Sequence, residues 1–443
     1  MSADIIVKCG SSVRRFKRIH GINLGPIQFG GATDVSERFS EIRFPTVRLH
    51  DCPYSCSGTV DIPCVFPLAH LDPADPASYA FARTDAYVQS ILDCGSQIVY
   101  RLGVSIQKNP RLQFETLPPE DPARWTDICC GIIRHYNQEW ADGFRHDIRY
   151  WEIWNEPENG PTMWQGTFEE FVTFFIRVAK RLKTRFPELL IGGPSFNGFR
   201  GNYEKLESFL GPLREADCPL DFLSWHTYAD RPMELAETAL AVREHLDRFG
   251  YTNAESHLNE WNLRRDFKRF RVDPDYKIEF NRILAGTAGG SMAASGLIAM
   301  QDAPLEMTNY YCAGSLNYSM FEVGGKPRKA FFSFKAFAEL LEHTPERLEV
   351  AGSDPDRGIA ALAGASPGGR LVALLLSNFA SERSDWELEL DGLKTRSPRA
   401  QSRVIDGDRD LQYDEPGATR LEGSRLSVSL PRGAVRLIRI AGN

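Results

Sequence analysis

Residues 150–157 read Tyr150-Trp151-Glu152-Ile153-Trp154-Asn155-Glu156-Pro157. The run from Ile148 to Trp154 is aromatic and β-branched, with large apolar side chains at alternate positions. That composition and spacing predict a buried strand. It stops at Asn-Glu-Pro. Proline brings no N–H to a ladder and turns the preceding residue away from helical geometry, so Glu156 is expected at the carboxyl end of the strand. A carboxyl beside an amide and close to Trp151 and Trp154 has the surroundings that raise its pKa and suit it to general-acid work.

A glutamate after a strand is by itself commonplace, and a second one changes its weight. Leu258-Asn259-Glu260-Trp261 repeats the Asn-Glu pair 104 residues later. Between and around the two lie further strand-like runs, at 20–24, 44–51, 97–103, 189–193, 222–228, 256–261 and 296–302. With 148–154 they make eight. Helical spacing fills most gaps, near 81–92, 121–136, 203–213, 234–249, 276–292 and 330–341. Pro122 stands in the first turn of one helix. Thr167 and Glu170 form a capping box for another, whose apolar stripe is Phe168, Phe171, Val172, Phe175, Val178, Ala179 and Leu182. Eight strand–helix units predict a closed (β/α)8 TIM barrel, an α/β fold.

After about Thr344 the period changes. Alternating runs at 370–377, 386–390, 425–430 and 435–440, separated by Gly, Pro, Ser and Asp turns, predict a small C-terminal β-sandwich. The alternating run 2–9 has no place in the barrel. The expected organisation is therefore 1–14 as a strand joining the sandwich, 15–343 as the catalytic barrel and 344–443 as the sandwich.

The chain has 443 residues, 42% hydrophobic and 25% charged, with a net charge of −7 and no long basic run. Nucleic acid and anionic membrane are excluded as natural partners on that balance. The first residues lack the basic and apolar regions of a signal peptide, and no stretch is long and apolar enough for a bilayer span. A soluble, cytoplasmic protein is expected, with oligomerisation left open. The nine cysteines are scattered and odd in number, as free thiols would be. Cys52, Cys56 and Cys64 cluster near His50, but without a CxxC pair they are read as structural thiols. No metal and no cofactor is expected.

Barrels carry their working residues at the carboxyl ends of the strands. Those ends supply His50 and Asp51, Asn155 and Glu156, His226 and Tyr228, Glu260, and Asp302. A pair of carboxylates across one pocket is what cleavage of a glycosidic bond requires: one protonated for the leaving oxygen, the other ionised. Glu156 is assigned as acid/base. Glu260 is assigned as nucleophile, with His226 and Tyr228 placed to keep it ionised by hydrogen bonding. Asn155 is a candidate hydroxyl ligand, and Trp164 and Trp261 are candidate sugar-stacking surfaces. Arg48 alternates with His50 and is expected to face inward, as is Glu152; a buried Arg–Glu pair is commonly architecture.

Trp154-Asn155-Glu156-Pro157, Trp225-His226-Thr227-Tyr228 and Asn259-Glu260-Trp261 together resemble the retaining clan-A glycosidases, and glycoside hydrolase family 39 in particular. The resemblance runs from the barrel through the sandwich. It implies a retaining O-glycoside hydrolase using double displacement, β-xylosidase-like. It makes Glu156 the acid/base, Glu260 the nucleophile and Asn155 the partner of the sugar 2-hydroxyl, with His50, His226 and Tyr228 in the sugar subsite. An oligosaccharide or glycoside is the implied substrate. Met300-Gln301-Asp302 departs from the family's β-xylosidases by lacking a tryptophan at the corresponding place. The alternatives are a family-39 enzyme acting on an α-L-arabinosyl, iduronosyl or β-glucosyl linkage, exo or endo, and a non-catalytic carbohydrate-binding barrel.

Overall fold

The structure, a computed structural model, describes residues 3–52, 58–109, 111, 113–314, 317–394, 397–415 and 417–442. Eight parallel strands close into a barrel. In chain order they are Gly21–Asn23, Thr46–Leu49, Gln97–Leu102, Tyr150–Ile153, Leu190–Phe196, Phe222–Ala229, Glu255–Leu263 and Met307–Tyr310. We refer to them as the first to eighth barrel strands. Helices pack outside, among them Ala82–Asp93, Pro122–Asn137, Phe168–Arg185, Glu204–Glu215, Met233–Arg248 and Lys329–His343. The expected TIM barrel is thus present.

Local signals account for most of these elements. Asp121 accepts from the N–H groups of Ala123 and Arg124, and Pro122 occupies the first turn behind it. Thr167 and Glu170 close the expected capping box, and the stripe from Phe168 to Leu182 is buried against the barrel.

One strand is not where the sequence pattern put it. Residues 296–302 belong mostly to the helix Thr287–Ala299, and the eighth strand is Met307–Tyr310. A short apolar run does not distinguish a strand from a helix buried on every side. This helix lies between the barrel and the C-terminal sheet, with Ser295 and Ser377 hydroxyls hydrogen bonded at 2.9 Å across that boundary. The true eighth strand carries Thr308 and Asn309, both buried, and therefore shows no apolar signature. The expected helix over 276–292 is interrupted at Gly286, the junction between Pro274–Ala285 and Thr287–Ala299.

The C-terminal strands form one ten-stranded sheet around a second apolar core that includes Leu348, Leu374, Leu388, Leu426 and Ile438. The strand Ile5–Arg15 lies within this sheet. It runs antiparallel to Glu346–Ala351 and parallel to Asp385–Asp391, and buries Ile5 and Val7 in the same core. Among the described residues no cysteine is joined in a disulfide; Cys56 lies outside the described residues. No helix among the described residues is long and apolar enough to cross a membrane.

Candidate active site

Three barrel strands break their alternation at the carboxyl rim, and each break turns a polar residue inward. Past Ile153 the chain leaves the ladder with Trp154 at φ 71° and Glu156 at φ 45°. Trp154 is thereby thrown outward, where its indole N–H donates to the Met163 carbonyl at 2.9 Å and its ring stands edge-on to Trp164. Gly103 makes room for it, since a Cβ there would lie 3.0 Å from the Trp154 ring. Asn155 and Glu156 both then face the pocket. In the seventh strand an extra residue enters between Leu258 and Glu260, so that Asn259 and Glu260 both point inward. The fifth strand does the same at Ser195, at φ 64°. Left-handed conformations at non-glycine residues cost free energy and collect at functional sites.

Arg48, on the second strand, joins these inward groups. It is fully buried. Its Nε donates to Glu152 at 2.7 Å and its Nη1 to Asn23 at 3.1 Å and to Glu260 at 3.0 Å. Its Nη2 donates to Asn155 Oδ1 and to Ser195 Oγ, both at 2.7 Å. Asn259 Nδ2 donates to the other oxygen of Glu152 and to Ser195 Oγ. The floor of the pocket is therefore a hydrogen-bonded network around one guanidinium, in which each carboxylate has a donor.

Above this floor stand Glu156, His226 and Glu260. One side-chain ligand atom from each lies within 4.8 Å of the others. His226 Nδ1–H donates to Glu156 Oε1 at 2.8 Å and lies 3.6 Å from Glu260 Oε2, while its Nε2 accepts from Ser195 Oγ–H at 2.9 Å. Burial pushes the imidazole down to about 4, so it is neutral at pH 7. Glu260 accepts from Arg48 and from the Tyr228 hydroxyl, the latter at 2.8 Å. Burial raises its pKa, against the charge of Arg48 and the bond from Tyr228. Among the described residues Glu156 has no Lys or Arg in hydrogen-bond contact; its donors are His226 and Asn159. Burial first, and then the charge of Asp51, push it up to about 7. The two carboxyls are thus unequal. A proton resides more readily on Glu156, and the negative charge on Glu260.

Asn155, Glu156, His226, Tyr228 and Glu260 meet in this pocket, and His50 lies at its edge. His50 is buried, with Nε2 3.3 Å from Asp51 Oδ1 and no partner for Nδ1 among the described residues. The other three proposed sugar ligands do not join them. Trp164 is buried, its indole N–H donating to the Thr167 carbonyl at 3.0 Å and its ring set among Trp154, Phe171 and Phe174. Trp261 points outward from its strand and packs on Tyr310 and Phe334. Neither presents a face to a sugar. Asp302 follows a helix rather than a barrel strand, and Arg347 grips its carboxylate at 2.8 and 2.6 Å. Beside it Lys17, which precedes the first strand, bonds the carbonyls of Ala303 and Leu305. That is the amino end of the barrel, opposite the pocket.

In place of Asp302, the loop after the eighth strand contributes Tyr311, whose hydroxyl donates to Asp51 Oδ2 at 3.2 Å. Tyr228, Tyr311 and Tyr318 cluster at centroid distances of 5.1–6.4 Å. Tyr311 and Tyr318 follow an eighth strand that has no apolar pattern, so the sequence does not mark them as it marks Tyr228. Ser195 carries no sequence signal, and the Asn-Glu pair at Asn259 does not show that both residues face inward, because a strict alternation does not reveal an inserted residue.

Glu156, His226 and Glu260 could together offer a cation three ligand atoms. The Arg48 guanidinium 3.0 Å from Glu260 already neutralises that carboxylate and would repel a divalent ion. The chemistry of the donor set fits proton transfer and nucleophilic attack better.

Residues 70–288 match the family model described as glycosyl hydrolases family 39. Over 166 residues the chain is 25% identical to a beta-xylosidase of Geobacillus stearothermophilus, covering 33% of this chain and 32% of that protein. Over 342 residues it is 22% identical to a beta-xylosidase of Caldicellulosiruptor saccharolyticus, covering 68% and 64%. The matched region thus spans about a third and somewhat under two thirds of these curated relatives. A glucosidase structure from Croceicoccus marinus superposes with a TM-score of 0.81 at 25% identity, over 100% of this chain and 99% of that one. A monomeric beta-xylosidase from Caulobacter crescentus shares the fold at a TM-score of 0.74 and 15% identity, over 99% of each chain. With the barrel, the appended sheet and the paired glutamates in view, these matches support a likeness to glycosyl hydrolases family 39, carried in sequence by residues 70–288, just under half of the chain.

Proposed function

We propose that the protein is a retaining O-glycoside hydrolase, β-xylosidase-like, with residues 15–343 as the catalytic barrel and 1–14 with 344–443 as the attached β-domain. The observation that carries this reading is the approach of the two carboxyls, with one oxygen of Glu156 and one of Glu260 within 4.8 Å. Retaining enzymes need carboxyls about 5–5.5 Å apart, and inverting ones need about 6.5–9.5 Å to admit a water.

The ionised Glu260 attacks the anomeric carbon as the glycosidic C–O bond breaks, and Glu156 gives its proton to the leaving oxygen. The glycosyl ester on Glu260 is then cut by water. Glu156 takes one proton of that water, the new C–O bond forms at the anomeric carbon, and the ester bond to Glu260 breaks. Two inversions give net retention. Asn155 turns its Oδ1 to Arg48, which leaves its amide N–H groups for the sugar 2-hydroxyl. The free thiols suit a cytoplasmic setting.

A β-glucoside is the second reading of the substrate, favoured by the near full-length likeness to a glucosidase. Release of nitrophenol from aryl β-xyloside, β-glucoside, α-L-arabinoside and α-L-iduronide separates these. Glu260→Gln should lower turnover at least about 10³-fold on every substrate. Glu156→Ala should retain activity on an activated aryl glycoside and recover further with azide, giving a glycosyl azide of retained configuration. An azide product of inverted configuration would reject the double displacement.

A further inference from the structure

Glu156 has one neighbour that the reaction as written leaves idle. Asn159 sits just beyond it in the short turn Pro157–Thr162. Its Nδ2 donates to Glu156 Oε2 and its backbone N–H donates to the Glu156 carbonyl at 3.0 Å. Its Oδ1 is itself held, accepting from Asn197 Nδ2 at 2.6 Å. Asn197 follows the fifth strand and is fixed in turn, its backbone N–H donating to Glu158 Oε1 at 2.6 Å. Two asparagines therefore bridge the loops after the fourth and fifth strands and end on the carboxyl of Glu156.

We propose that Asn159, braced by Asn197, is a positioning residue that pins the Glu156 carboxyl and stabilises it once its proton has left. The inference rests on Glu156 being both acid and base. In the first half-reaction Glu156 loses a proton, and in the second it receives one from water. An N–H donor favours the ionised state and so eases the first transfer. An amide is suited to the task because it carries no charge and leaves the carboxyl free to cycle. The bracing matters because an unheld asparagine could present its oxygen instead, which would favour the protonated acid. Asn197 occupies that oxygen and fixes the amide orientation.

The charged and titratable groups facing Glu156 are few. Asp51 raises its pKa, while Arg48 and Lys108 lower it. Glu260, His226 and Tyr228 stand across the pocket. Glu158 lies behind Asn197 with Oε2 buried and unpartnered among the described residues, and burial pushes its carboxyl up to about 8. It is protonated at neutral pH and adds no full charge beside Glu156.

Asn159→Leu keeps the cover over the carboxyl but lacks the donor. The Glu156 carboxyl carbon can be titrated by 13C NMR, its signal assigned by its loss in Glu156→Gln. In Asn159→Leu its midpoint should rise by about one pH unit. The alkaline limb of kcat/KM should rise with it, since that limb reports the proton on the acid. Asn197→Ala should raise it less, and should add nothing in the Asn159→Leu background. Asn159→Asp, close in shape, is the second variant and should raise the midpoint further by like charge. An unchanged or lowered midpoint in both Asn159 variants would overturn the proposal. The titration needs no turnover, so an enzyme silent on every glycoside would defeat the proposed function while the inference about Asn159 stayed readable.

Discussion

Arg48 donates to five acceptors without touching solvent, and two of them, Glu152 and Glu260, are carboxylates. Removing one partner of a buried ion pair is far costlier than never having built it. Arg48→Met should therefore lower unfolding free energy by about 3–5 kcal/mol, read as a fall in the urea midpoint. Arg48→Lys should not restore it, because one ammonium cannot reproduce a planar fork. Tyr228→Phe is the milder probe. It removes a donor from Glu260 Oε2. Because that bond favours the carboxylate, its loss should move the acidic limb of kcat/KM to higher pH. It should also cost roughly ten- to a hundredfold in rate, the range for a hydrogen bond to a charged group. At this scale the sequence was most informative where residue type and strand end coincide. His226, Tyr228, Glu156 and Glu260 lie at such ends and do converge. Trp164 and Trp261 follow the two glutamates in sequence but are buried in the packing outside the pocket, which residue type alone does not tell.

The extra residues in the fifth and seventh strands, and the turn at Trp154, do what regular strands cannot. Strict alternation would bring either Asn259 or Glu260 inward, and either Asn155 or Glu156. A bulge lets both enter. The amide and the acid then sit side by side in each strand, a pairing written in the sequence as Asn-Glu twice, although its meaning depends on a distortion that a period of two conceals. The helix Thr287–Ala299 shows the opposite failure. It is buried on all sides, so it has no polar face to betray its period. Its tight fit also makes it fragile. A Cβ on Gly296 would stand 2.9 Å from Leu235 Cδ1 and 3.0 Å from the Trp261 ring. Gly296→Leu should destabilise by about 1–3 kcal/mol through overpacking, seen as a lower melting temperature. It should also reduce kcat, since Trp261 is the residue after Glu260.

At the scale of the whole molecule, the barrel and the ten-stranded sheet have separate apolar cores. The strand Ile5–Arg15 precedes the barrel in the chain but belongs to the sheet, where it pairs with Glu346–Ala351 on one side and Asp385–Asp391 on the other and so joins two runs of strands. Deleting residues 1–15 should therefore split that sheet, leaving two exposed edges where one strand had sealed both. Such a protein should melt earlier and aggregate on heating, which light scattering during a thermal ramp would register. Unchanged melting would show that the two runs hold together through side-chain packing alone.

The position of that strand also bears on how the chain is made. Ile5–Arg15 leaves the ribosome roughly 330 residues ahead of Glu346–Ala351, the first of its two neighbours in the sheet. At about 5–20 residues per second, the segment waits for tens of seconds with Ile5 and Val7 uncovered. A nascent polypeptide in that condition keeps apolar side chains exposed to solvent and to chaperones, and codon choice that slows translation would lengthen the exposure.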